Sequence, residues 1–336
     1  MNYSESTRIL QTIKQAEKIL VNCHSRPDAD SVGSALAMSK FLEKQNKEVL
    51  VVCPDDLPPS LQFLINKYEL NFKKINYANF DFADWDLFVC LDSADWKRVT
   101  ANPKVQKPNV DIVVIDHHKT NTKYGKINLI DSDIAATGQL LYKLFSDFKF
   151  VDYNKNIATG MLTAIFGDTG ALRFPESNEE TLKVVLHLIK LADKNEIIFN
   201  LYQNYEIQSV GLWGEIMKAM QINTECKYVW SAIGEHTFKK YGSPPGSKSE
   251  IADIFFQSIK STDFGMVIIE ESKGYVSVSL RSRTGFDVSN IAELFDGGGH
   301  RWAAAGRVRD KSFSEAVQYI HEVVQKEVKN SSQRVG

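Results

Sequence analysis

Val110-Asp111-Ile112-Val113-Val114-Ile115-Asp116-His117-His118 is the stretch that decides how this chain is read. Residues 110–115 form a short, nearly continuous apolar run rich in β-branched side chains. Such a run suits a strand buried on both faces of a parallel sheet. It ends in one carboxylate and two imidazoles, followed by Lys119, Thr120 and Asn121. In open α/β sheets, ligands sit outside the carboxyl ends of the strands. Three metal-capable side chains at that position are costly to bury without a partner. A lone histidine at a strand exit is ordinarily structural, so the weight falls on the rest of the chain.

Working outward, Ile19 to Cys23 reads as a buried strand that ends in His24-Ser25-Arg26-Pro27-Asp28-Ala29-Asp30-Ser31-Val32-Gly33-Ser34. Pro27 fixes a turn. Ser31 is expected to cap a helix that runs to about Asn46. The small residues Gly33, Ser34, Ala35 and Ala37 permit close approach to a sheet. Further strands are expected at Val49–Cys53, at Leu87–Leu91 (which ends in Asp92) and at Ile127–Ile130. Strands alternating with helices give an α/β fold with a doubly wound, mostly parallel sheet. Asn154 to Phe166 reads as a helix running into Gly167-Asp168-Thr169-Gly170. The expected division is a larger α/β domain at 1–205, a helical connector at 206–223 and a smaller α/β domain at 224–330. Strands at 226–233, 264–270 and 274–281 and helices at 247–259, 288–295 and 312–328 are expected in that second domain.

A length of 336 residues also favours two domains. The formal net charge of -2 provides no global positive field, so a nucleic-acid ligand has to be short or held by a local patch. The four cysteines form no C-x-x-C pair and read as buried thiols of a reducing compartment. No apolar run reaches the length of about 20 residues that a membrane span requires, and the first 14 residues lack a signal core. The expected location is cytoplasmic, with no membrane partner.

Four separated segments now share one chemistry: His24, Asp28 and Asp30; Asp92; Asp116, His117 and His118; and Asp168. Taken singly, each reads as a cap or turn residue. Taken together, so many carboxylates cannot stay ionised without cations. Aspartate and histidine without cysteine suit Mn²⁺ best, with Mg²⁺ or Co²⁺ as substitutes. The donors suffice for two divalent ions about 3.5–4 Å apart, bridged by one carboxylate and activating a water.

Residues 24–34, with Asp92, the Asp116-His117-His118 triplet and Asp168-Thr169-Gly170, resemble the motif set of the DHH phosphoesterase superfamily. Ser279-Leu280-Arg281-Ser282-Arg283, Asp287-Val288-Ser289 and Gly297-Gly298-Gly299-His300 resemble its associated DHHA1 domain. At this compact length the pairing is most similar to the nanoRNase/pAp-phosphatase (oligoribonuclease NrnA-like) group. The resemblance implies that His24 and Asp28 hold one metal, that Asp30, His117 and Asp168 hold the other, and that Asp92 bridges. Asp116 would orient the cluster and His118 would contact the substrate phosphate. Gly167 and Leu172 depart from residues common in the family, which puts the packing around Asp168 in question.

Substrate binding is expected at Arg281, Ser282, Arg283, Gly297, Gly298, Gly299 and His300. The glycine run offers consecutive N–H groups for an anion nest, and arginine suits bidentate phosphate contact. The implied activity is hydrolysis of short oligoribonucleotides and of pAp. The alternatives are a phosphodiesterase for c-di-AMP or pApA, a pyrophosphatase, and a non-catalytic nucleotide sensor. The glycine–histidine segment with its arginines argues against pyrophosphate, and the complete donor set argues against a sensor. Oligomeric state, a homodimer included, is left open.

Overall fold

The computed structural model describes residues 2–244, 246–299 and 301–334. The chain divides into two compact units that meet between Asn204 and Tyr205. In the first, α1 (Ser6–Gln15) leads into β1 (Lys18–Asn22), α2 (Ala29–Lys44) and β2 (Glu48–Cys53). Then come α3 (Gln62–Asn66), β3 (Phe72–Lys74), β4 (Leu87–Leu91), α4 (Trp96–Thr100), β5 (Asp111–Asp116) and β6 (Ile127–Ile130). The unit closes with α5 (Thr137–Asp147), α6 (Lys155–Asp168), α7 (Glu179–Leu188) and α8 (Lys194–Tyr202).

All pairs in the first sheet are parallel, in the order β3-β2-β1-β4-β5-β6. The order reverses between β1 and β4, and that crevice is where doubly wound sheets take their ligands. The continuous apolar runs have the expected cause. Ile19, Val21, Val89 and Leu91 enter one core, while Leu20, Phe88 and Cys90 enter another on the opposite face. All four cysteines are free and buried.

Helices α2 and α6 cross at unusually close range. A Cβ on Gly33 would lie 2.5 Å from the Gly160 carbonyl oxygen, and one on Gly160 would lie 2.6 Å from the Gly33 carbonyl oxygen. Only glycine lets the two backbones touch there. Gly167 extends the same crossing, because a Cβ there would overlap the Ala29 side chain. The departure from the family pattern at this position therefore serves packing between the two helix ends that carry Asp28, Asp30 and Asp168. The cap of α2 is Asp28, whose carboxylate accepts the Ser31 N–H at 3.0 Å. Ser31 is not the cap, because its hydroxyl turns back to accept the His24 N–H at 2.9 Å.

The second unit comprises α9 (Ile207–Lys218), β7 (Gln221–Asn223), β8 (Tyr228–Ile233), α10 (Glu235–Lys240), α11 (Ser247–Ile254), β9 (Phe264–Ser272), β10 (Tyr275–Ser282), α12 (Ser289–Glu293), β11 (Gly298–Gly299), β12 (Ala303–Arg309) and α13 (Phe313–Arg334). Its sheet runs β11-β12-β10-β9-β8-β7, antiparallel except for the β8–β9 pair. The stretch expected as a connector is α9. Its Leu212, Trp213 and Ile216 are buried with Val229, Val267 and Ile269, so it belongs to this unit's core. The helix expected over 247–259 stops at Ile254 and gives way to a short 3-10 turn at Phe256–Ser258.

Candidate metal centre

Three of the six parallel strands of the first sheet each deliver one part of the site at their carboxyl ends. β1 ends before His24, β4 before Asp92, and β5 at Asp116 with His117 next. His24 and Asp92 therefore follow the two strands that flank the switch point. Asp92 has a left-handed backbone, φ 51°, a region that aspartate tolerates better than most residues but seldom adopts. That kink turns its carboxylate into the pocket, where it is 2% exposed.

Asp92 stands between two groups of donors. Its Oδ2 is 3.3 Å from His24 Nε2, and its Oδ1 is 3.6 Å from His117 Nε2. On the first side, His24 Nε2 also lies 3.2 Å from Asp28 Oδ2. On the second, His117 Nε2 lies 3.2 Å from Asp168 Oδ2 and 3.6 Å from Asp30 Oδ2. The triads His24–Asp28–Asp92 and Asp30–His117–Asp168 each place their ligand atoms within 4.8 Å of one another, and so does Asp92–His117–His118.

The chemistry of these donors fits a cation. His24 Nδ1 faces the Ser25 carbonyl oxygen at 3.0 Å, and His117 Nδ1 faces that of Ile134 at 3.3 Å. A carbonyl only accepts, so each Nδ1 carries the hydrogen and each Nε2 is turned on carboxylates. A neutral Nε2 would set a lone pair against carboxylate oxygens, which only a proton or a metal ion relieves. Burial disfavours a charged His24, yet Asp28 and Asp92 outweigh it and push its pKa up to about 9. His117 is raised likewise, by Asp168, Asp30 and Asp92 against its own burial.

The carboxylates are under opposing pressures. Burial, then Asp92 and Asp168, drive the Asp30 pKa well above the usual range. Asp30 also receives the Thr137 N–H at 2.7 Å and the Gly138 N–H at 3.0 Å, so it caps α5, whose own N-terminal residue supplies no side-chain cap. Asp168 is raised by burial and by Asp92 and Asp28, although His117 opposes this. It is the last residue of α6, where the helix dipole also disfavours negative charge.

Asp116 is fully buried. One oxygen is 2.7 Å from His118 Nδ1, and the other accepts the Asn121 side-chain N–H at 2.6 Å. It fixes the His118 ring and leaves Nε2 as the ring's outer nitrogen. Two contributors were not legible as site residues. Thr137 donates its hydroxyl to Asp92 Oδ1 at 3.2 Å. Arg98, on α4, brings Nη2 to 3.2 Å from His24 Nε2.

In the second unit, residues 281–283 and 297–299 reach the same end of the sheet. Arg281 pairs with Ala303 of β12, whose next residue, Ala304, pairs with Gly299 on the other side. Arg281 is not an open fork. It is 9% exposed, its Nε and Nη2 are held by the Asp253 carboxylate, and Nη1 donates to the Leu280 carbonyl. The Ser282 hydroxyl accepts the Gly285 N–H at 3.0 Å, and Arg283 donates to the Thr262 carbonyl at 3.1 Å while remaining exposed. The glycine run is not a nest of three open amides, since the Gly297 N–H is taken by the Ala292 carbonyl at 3.0 Å. A Cβ on Gly297 would overlap the Ala305 carbonyl oxygen, whereas one on Gly298 would meet nothing within 4 Å. His300 lies outside the described residues. No described helix is long and apolar enough to cross a membrane.

Carboxylates and imidazoles gathered at the switch point of a doubly wound sheet make a site that could hold cations, in the place where α/β enzymes of this type bind their ligands. Residues 18–165 match the DHH family N-terminal domain, and residues 227–329 match the DHHA1 domain. The chain belongs to the DHH phosphoesterase superfamily and is a phosphoesterase of that class. It is 28% identical to the bifunctional oligoribonuclease and PAP phosphatase NrnA of Thermus thermophilus, over 97% of this chain and 95% of that one. The NrnA of Bacillus subtilis is 24% identical over 90% of this chain and 93% of its own. The crystal structure of an exopolyphosphatase-related protein from Bacteroides fragilis has the same fold, with a TM-score of 0.87, 24% identity and 97% of both chains covered.

Proposed function

We propose that this enzyme hydrolyses short oligoribonucleotides and dephosphorylates pAp, using two divalent cations, Mn²⁺ foremost. His24 and Asp28 would hold one, Asp30, His117 and Asp168 the other, and Asp92 both. The observation that carries this reading is Asp92, which faces a histidine nitrogen with each of its two oxygens. Bound cations supply Lewis acidity and lower the pKa of an attacking water.

The chain's own residues supply the rest. Ser25 and Ile134 carbonyls fix the ligating face of each histidine. Asp116 steadies His118, whose Nε2 then serves the departing oxygen as a proton donor. Substrate recognition is assigned to Arg281, Ser282, Arg283, Gly297, Gly298, Gly299 and His300. Arg281 acts by positioning, since Asp253 holds its fork. Gly298 supports the assignment, because nothing among the described residues requires a glycine there and a ligand approaching the backbone would. The net charge of -2 suits short substrates over long strands. The NrnA relatives are named for both activities.

The test is one Mn²⁺ activity panel with pAp, pApA, c-di-AMP, pyrophosphate and a ladder of RNA lengths. Highest turnover on pAp and the shortest RNAs is expected. Pyrophosphate as best substrate would overturn the proposal, and c-di-AMP or pApA as best would replace it with the dinucleotide reading.

A further inference from the structure

Arg98 is tied by its backbone to both sides of the His24 triad. Its N–H donates to the Asp95 carboxylate at 2.7 Å, which caps α4, and its carbonyl accepts the Ser25 N–H at 2.8 Å. Its guanidinium reaches back over the pocket. Nη2 lies 3.2 Å from His24 Nε2 and 4.0 Å from Asp28 Oδ2, and the side chain is 31% exposed. A guanidinium only donates. Its Nη2 stands at the place beside Nε2 that a metal ion would have to take, so Arg98 and a cation cannot both have that atom. Its partial exposure and long stem allow it to withdraw into solvent with the backbone unmoved.

We propose that Arg98 is a built-in stand-in for the cation of the His24–Asp28–Asp92 triad, and that once displaced it grips a phosphate oxygen of the substrate. This rests on the phosphoester reading of the same site. In the metal-free protein Arg98 balances carboxylates that would otherwise repel one another. When His24 Nε2 is given over to a cation, like charge expels the guanidinium. It is then left on an anchored backbone at the edge of the pocket, where a phosphoryl group must come. Arginine fits both duties: its charge is permanent, and its fork matches phosphate in two-point contact. Lysine would keep the charge and lose the fork.

The test uses the full chain, stripped of metal, with Arg98→Met and Arg98→Lys. Calorimetry measures Mn²⁺ binding first and then inorganic phosphate binding to the Mn²⁺-loaded protein. Removing the competing charge is expected to tighten Mn²⁺ roughly threefold or more in Arg98→Met. Phosphate should bind about ten- to a hundredfold more weakly in that variant, the worth of a charge-assisted pair. Arg98→Lys should fall between wild type and Arg98→Met for phosphate. With pAp, KM should rise more than kcat falls. Unchanged or weaker Mn²⁺ binding in Arg98→Met overturns the stand-in, and unchanged phosphate binding overturns the grip. If Arg98→Met melts before it can be titrated, the Arg98→Lys protein decides: phosphate bound as in wild type refutes the two-point contact. The two binding titrations need no nucleotide turnover. A wild-type protein that binds Mn²⁺ and phosphate but hydrolyses nothing would sink the proposed function and leave the Arg98 result standing.

Discussion

Alanine at Gly33 probes whether the crossing of α2 and α6 builds the metal pocket. The added Cβ would sit 2.5 Å from the Gly160 carbonyl oxygen and 2.7 Å from the Ala164 amide nitrogen. Both are backbone atoms, so no side chain can swing aside. Ordinary contact begins near 3.4 Å, and the helices must part by about 0.9 Å. Overpacking of that size costs about 1–3 kcal/mol. In a unit of this length that lowers the melting point by roughly 2–12 °C. The larger effect falls on the site. Asp30 lies one turn before Gly33 on α2, and Asp168 ends α6. Parting the helices lengthens the 3.6 Å and 3.2 Å approaches of their carboxylates to His117. A displacement of about 1 Å at reacting groups costs up to ~10²-fold in rate. Gly33→Ala should therefore bind Mn²⁺ more weakly and lose roughly ten- to a hundredfold in kcat/KM. Thermal melts by circular dichroism, Mn²⁺ titration and turnover of pAp measure the three effects. Gly214→Ala is the control: it lies exposed on α9 with nothing within 4 Å and should gain about 0.5–1 kcal/mol at unchanged activity. A Gly33→Ala protein that melts and turns over like wild type would refute the claim that this crossing sets the pocket.

Three further outcomes are expected. Asp92→Asn keeps the left-handed backbone and the side-chain shape, so the protein should fold as before while kcat drops by about 10³-fold or more, roughly 4 kcal/mol of barrier; turnover near wild type would remove Asp92 from its bridging place. Gly298→Ala should leave the melting point alone and raise KM several-fold, whereas Gly297→Ala, which drives a methyl into the Ala305 carbonyl, should unfold the second unit at lower temperature; equal behaviour of the two would remove the argument for a ligand at Gly298. Burial, aided by Asp253, pushes the Glu250 pKa from 4.5 up to about 7. A carboxyl raised on folding stabilises fully below its unfolded pKa, so this contribution fades as pH rises from about 4.5 through about 7. Glu250→Gln should flatten melting point against pH over that window, and an unchanged slope would mean that Glu250 is not its source.

The sequence was legible where chemistry sits directly against a β-branched run. Ile19–Cys23, Leu87–Leu91 and Val110–Ile115 announce buried strands, and His24, Asp92 and Asp116-His117 stand at their ends. It was not legible where tertiary pairing overrides local preference. Phe72–Lys74 and Gln221–Asn223 are three-residue edge strands, and Ala303–Arg309 reads Ala-Ala-Ala-Gly-Arg-Val-Arg, poor strand material that pairing with β10 holds extended. Arg281 was visible as a charge near a strand end, but its neutralising partner, Asp253, lies 28 residues away on α11. Arg98 carries no motif, and only the fold puts it against His24.

Caps and ligands could not be told apart by sequence because in this pocket they are the same atoms. Asp28 closes the first turn of α2 and also faces His24. Asp30 closes the first turn of α5 and also faces His117. A carboxylate that already accepts N–H groups from a helix end is fixed in direction before any cation arrives, and its remaining lone pairs are aimed at no entropic cost on binding. The same economy explains why Asp116 is buried: held between His118 and Asn121, it fixes a ring that would otherwise rotate at the mouth of the site. Reading such residues as structural or as functional is a false choice here, since the bonds that shape the helix ends are the bonds that aim the donors.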